Sequence, residues 1–106
     1  MHNFRELKIW QRGIETVIDT YKLLEQLPDS EKYGLTSQMK RCAISIPSNI
    51  AEGSGRNSDK DFAHFLDISI GSANELETQL IIAEKSKFIT DTESEKLIAE
   101  INELQK

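Results

Sequence analysis

The sequence predicts an all-α protein, an up-and-down bundle of four antiparallel helices. Three observations predict it. Apolar residues recur at alternating spacings of three and four, which only a helix gathers onto one face. Capping signals and breakers cut the chain into four such segments. The linkers, at roughly residues 27–30, 53–58 and 87–90, are short, and short connections favour antiparallel neighbours. No strand-like alternation of useful length competes, and residues 1–106 read as one domain.

The first segment runs from about Asn3 to Leu27. Leu7, Trp10, Ile14, Val17, Tyr21 and Leu24 form its seam, and Ile18 widens the stripe. Asn3 is placed to cap the start, and Pro28 closes the end, because the residue before proline is pushed out of helical geometry.

The second segment runs from about Asp29 to Glu52. Asp29 or Ser30 can cap its first turn, and Gly34 is placed to split a short turn from the main helix. Leu35, Met39, Cys42, Ile46 and Asn49 form the seam. Pro47 lies inside it, removes one backbone hydrogen bond, and predicts a kink. Gly53-Ser54-Gly55 predicts a left-handed glycine cap.

The third segment, about Ser58 to Ser86, opens on Ser58 and Asp61 as a capping box. Its seam is Phe62, Leu66, Ser69, Ala73, Leu76, Leu80 and Ala83. Gly71-Ser72-Ala73 is a small-residue patch that lets a neighbouring backbone come close. The fourth segment, about Thr90 to Lys106, has a capping box of Thr90 and Glu93 and an apolar face of Leu97, Ile98, Ile101 and Leu104.

The 106 residues are 38% hydrophobic and 29% charged, a globular composition. The net charge of −5 is opposite in sign to that of a basic nucleic-acid binder. It is also uneven. Residues 1–56 carry 8 Lys/Arg against 7 Asp/Glu, and residues 57–106 carry 5 against 11, so any phosphate contact is expected from the first half. The lone Cys42 excludes an internal disulfide and fits a reducing cytosol. No signal-peptide core or bilayer-length apolar run is present, so a cytoplasmic protein with no membrane partner is expected.

No constellation of residues names a reaction. Asp61 and His64 have the spacing of half a di-iron motif, but the only other histidine, His2, sits at the chain start, so no metal site is expected. Cys42 with His64 suggests a thiol nucleophile, yet Cys42 lies on an apolar seam, where cysteine is usually inert. Glu52-Gly53-Ser54-Gly55 lacks the Gly-Lys-Ser/Thr and the preceding strand of a phosphate loop, and reads as a helix–helix turn. We expect no enzymatic activity, no cofactor and no small-molecule substrate.

Two groups carry binding readings. Asn49, Glu52, Ser72 and Glu75 are polar residues in or beside the seams. They read either as an internal cluster that fixes helix register or as an inter-subunit or ligand contact. Arg5, Lys8, Arg12, Lys40, Arg41 and Arg56 read either as a patch for nucleic acid or as ordinary surface charge; Lys8 and Arg12, four apart, share a helix face.

The block Ser45-Ile46-Pro47-Ser48-Asn49-Ile50-Ala51-Glu52-Gly53 resembles the bacterial four-helix bundle family first noted in 23S ribosomal RNA intervening sequences. That family includes the accessory variability determinant of diversity-generating retroelements. Leu7 and Trp10, Leu27-Pro28 with Glu31, Gln38 with Arg41, and Gly71-Ser72 with Glu75 extend the resemblance over essentially the whole chain. It implies an up-and-down bundle, a homopentameric barrel and no catalysis. The retroelement branch binds nucleic acid and a reverse transcriptase through a basic surface, from which this chain departs in its charge of −5. The expectation is a non-enzymatic oligomeric scaffold with RNA or an RNA-handling protein as partner. The alternative is a protein–protein adaptor that binds no nucleic acid.

Overall fold

The computed structural model describes residues 3–104; His2 and the last two residues of the fourth predicted segment lie outside them. Four helices form, with no strand among the described residues: α1 (Lys8–Leu24), α2 (Leu35–Ser54), α3 (Asp59–Lys85) and α4 (Asp91–Leu104). Each packs on the next and α4 returns to α1, which closes a four-helix bundle 44 × 25 × 19 Å across. The α2–α3 pair is the most extensive contact. Met39, Ile46, Leu76, Leu80 and Ile101 are fully buried in the core of the bundle. Each such side chain contributes about 1.5–3 kcal/mol by leaving water.

The first helix does not begin at Asn3. The Asn3 Oδ1 accepts the Arg5 N–H at 3.3 Å and caps a separate 3-10 turn, Phe4–Glu6. Leu7 is extended, and α1 starts after it without a side-chain cap. The turn is folded back onto α1: the Gln11 amide donates to the Arg5 carbonyl at 2.9 Å, and Phe4 meets Trp10 edge-on at 5.3 Å. Nor does the second helix begin at Asp29. Asp29–Glu31 is another 3-10 turn, Gly34 breaks the backbone, and the Glu31 carboxylate accepts the Leu35 N–H at 3.2 Å.

The glycine cap predicted after α2 is not there. Gly53 lies in the last turn, and Gly55 has ordinary right-handed angles, φ −85° and ψ −3°. Gly53 is needed for proximity. A Cβ there would stand 2.8 Å from Phe65 Cβ and 2.9 Å from Phe62 Cδ1. Among the described residues the left-handed one is Lys87, φ 65°, at the end of α3. There the Lys87 N–H donates to the Glu84 carbonyl and the Phe88 N–H to the Ala83 carbonyl, both at 2.9 Å, the pattern of a Schellman cap.

Of the two predicted capping boxes, the one at Thr90 forms in full and the one at Ser58 forms its N-cap half. Ser58 Oγ accepts the Asp61 N–H at 3.1 Å. Thr90 Oγ1 accepts the Glu93 N–H at 3.1 Å while Glu93 Oε1 accepts the Thr90 N–H at 3.0 Å, so two orphan donors are satisfied reciprocally.

α1 is rotated from its predicted seam. The face it buries is Gly13, Thr16, Thr20, Leu23 and Leu24. Thr16 and Thr20 are 0% exposed, whereas Ile14, Ile18 and Tyr21 face outward, Ile18 at 49%. Trp10 and Val17 are only half-buried. Two local devices make a polar inner face tolerable. The Thr20 hydroxyl donates to the Thr16 carbonyl at 2.7 Å, which satisfies it inside the helix. Gly13 lets α1 approach α2 so closely that an added Cβ would lie 3.2 Å from Pro47 Cβ.

Candidate functional site

The α2–α3 crossing carries a polar cluster. Spacings of three and four set Cys42, Ser45 and Asn49 on one stripe of α2, and Ser69 and Ser72 of α3 bond to this part of α2. Asn49 Nδ2 donates to the Ser45 carbonyl at 2.8 Å and to Ser45 Oγ at 2.9 Å. Ser45 Oγ and Ser72 Oγ share a hydrogen bond of 2.8 Å across the interface. The Cys42 thiol donates to the Ser72 carbonyl at 3.0 Å, and the Ser69 hydroxyl to the Ile46 carbonyl at 2.6 Å. The last bond takes up the carbonyl of the residue before Pro47, near the point where proline interrupts the ladder.

Of the four polar residues singled out from sequence, the structure joins Asn49 and Ser72 through Ser45. Glu75 shares a groove with Gln38, Arg41, Cys42, Ser45 and Ser72. Glu52 stands apart. It is exposed and pairs with Arg56 one turn along, Nη2 to Oε1 at 2.7 Å. Burial, and then the nearby Glu75 carboxylate, push the Cys42 thiol up to about 12. A thiol held protonated is a poor nucleophile.

The six basic residues do not line a common cavity. Arg12 borders a groove with Glu15, Glu100 and Glu103. Arg41 borders the groove that holds Glu75. Arg56 is paired with Glu52 and lies 4.8 Å over the Phe65 ring. Lys40 Nζ lies 5.0 Å over the Tyr21 ring, and Arg5 lies 5.7 Å over Phe4. Lys8 is exposed in the first turn of α1. Such cation–ring contacts hold a side chain weakly, by about 0.5–1 kcal/mol at the surface.

The strongest surface feature is apolar. Ile14, Ile18 and Tyr21 of α1 and Ile44 of α2 are all exposed. Trp10, Val17 and Ala51 continue this surface around a groove that Pro47 and Ser48 also line. Sequence reasoning had these α1 residues in the core. A second exposed set, Ile68, Ile70, Ile81 and Ile82, lies on α3. Single exposed apolar residues are ordinary; the α1 residues with Ile44 form a contiguous row, whereas those of α3 are split between two sides of the helix.

Among the described residues, no helix is long and apolar enough to cross a membrane, and no group of three His, Cys, Asp or Glu is placed to hold a metal.

Comparison with known proteins agrees with this architecture. The 23S rRNA-intervening sequence protein family matches over residues 5–106. No curated protein matches. Among solved structures, a protein with unknown function from the S23 ribosomal protein family of Bacteroides thetaiotaomicron is similar, with 26% identity and a TM-score of 0.83. The match covers 91% of this chain and 90% of that one.

Proposed function

This chain belongs to the 23S rRNA-intervening sequence protein family, and from that premise we propose that it is a self-associating scaffold with no enzymatic activity, working in the cytoplasm. The observation that carries the reading is the apolar outer face of α1 and α2, Ile14, Ile18, Tyr21 and Ile44. Covering it with a second copy removes apolar surface from water at about 25 cal/mol per Å². The exposed isoleucines of α3 fall on two sides of that helix, Ile70 with Ile81 on one and Ile68 with Ile82 on the other. Docked head-to-tail on another part of a second copy, the α1–α2 face builds a ring when the rotation closes, and the family resemblance implies a ring of five. Sedimentation of the wild-type protein at micromolar concentration tests this. A discrete closed oligomer is expected, and a monomer at every concentration would end the proposal.

RNA as the partner is a second reading. It is favoured by Lys8 and Arg12, both exposed, one turn apart on the first half of the chain. Assembly would repeat that pair around a ring. Anisotropy of a labelled structured RNA should then show binding that weakens steeply with salt. Absence of binding at low salt by an intact oligomer would leave the protein–protein adaptor.

A further inference from the structure

The contact between α1 and α4 is bordered by acids. One groove there holds Asp19, Lys22, Glu93, Lys96 and Glu100. The adjoining groove holds Arg12, Glu15, Glu100 and Glu103. Glu100 belongs to both and is half-buried. No charge from α2 or α3 lines either groove, so three bases face five acids. The Thr16 hydroxyl donates to Glu100 Oε1 at 3.4 Å, and Asp19, three residues beyond Thr16 on α1, lines the same groove as that carboxyl. Ionised carboxylates only accept hydrogen bonds, so these two carboxyls can bond each other only while one of them carries a proton.

We propose that the Asp19–Glu100 carboxyl pair is a proton-operated latch on α4: sharing one proton it ties α4 to α1, and fully ionised it loosens the second half of α4. The rest of the α4 attachment is thin. Its 14 residues span about half the length of α3, and it buries only Ser94, Leu97 and Ile101. The buried Ser94 Oγ has no hydrogen-bond partner, which weakens the seat further. The beginning of α4 is pinned separately, by the Thr90–Glu93 box and by the Gln26 amide donating to Glu93. Loosening therefore falls on the turns around Glu100.

Burial, then the Asp19 hydrogen bond and charge, then Glu15 push Glu100 up to about 7 from the usual 4.5, with the Thr16 hydroxyl pulling the other way. The folded chain thus holds that proton more tightly than the unfolded chain. The stability it brings is complete below about pH 4.5 and is lost as pH rises through about 7. Glu93 acts in the opposite sense and in another window. The Thr90 N–H first, then Gln26 and the Thr90 hydroxyl, hold it below its usual range, so its share is lost only as pH falls under about 4.5. Cys42 titrates well above both.

The test is urea denaturation of wild type and Glu100→Gln at fixed protein concentration between about pH 5 and pH 8. Amide exchange of residues 91–104 at the upper pH gives the local readout. The wild-type midpoint should fall across that range and the variant's should stay nearly level, with the variant's α4 amides slowed several-fold. If the variant does not fold, carboxyl NMR of the wild type decides, and Glu100 should titrate near 7. The same fall in both proteins, or a Glu100 carboxyl titrating near 4.5, overturns the latch.

Discussion

The two long faces of α1 invert the usual arrangement. The inner face presents Gly13, Thr16 and Thr20 to the bundle, and the outer face presents Ile14, Ile18 and Tyr21 to solvent. The inner face gains proximity: Gly13 admits Pro47 of α2, the Thr20 hydroxyl is satisfied within α1, and the Thr16 hydroxyl reaches Glu100 of α4. The outer face is apolar without a use inside a single chain. On the proposed scaffold reading, what stabilises the protomer and what would serve assembly lie on different sides of one helix, and mutations should separate them.

The largest effect on the protomer should come from the inner side. Leu24→Ala, at a position 4% exposed, should cost about 2–5 kcal/mol in urea denaturation. Gly13→Leu should cost about 1–3 kcal/mol by pushing α1 off Pro47. An unchanged midpoint for either would mean that α1 is not seated as described. Lys87→Gly, away from both faces, should add up to about 1 kcal/mol by relieving the left-handed backbone. The same gain is expected whatever the oligomeric state. Ile18→Lys should change protomer stability by less than about 0.5 kcal/mol, yet lower the mass in solution. A large loss of protomer stability from Ile18→Lys would erase the contrast between the faces.

Much of the fold was legible. The capping boxes at Ser58 and Thr90 mark real helix starts because their signal is local, a side chain three residues from its partner. The rotation of α1 was not legible. A seam drawn through Leu7, Trp10, Ile14, Val17 and Tyr21 follows the most apolar stripe, and hydropathy does not tell a core from an interface. Gly53 misled for a related reason. A glycine near a helix end reads as a turn, while here the neighbour is Phe65, distant in sequence. At the polar cluster, Asn49 and Ser72 stood out at seam positions, but the link between them is Ser45, a small hydroxyl with no pattern of its own. The Asp19–Glu100 pair joins residues far apart in the chain, and only the α1–α4 packing brings them together.

The central claim is that the outer face of α1 assembles copies of this chain. Its most direct test is the sedimentation mass of Ile14→Glu with Ile18→Glu beside wild type, with circular dichroism on both. The account predicts an oligomeric wild type and a monomeric variant of equal helicity. An oligomer of unchanged mass in the variant would contradict it.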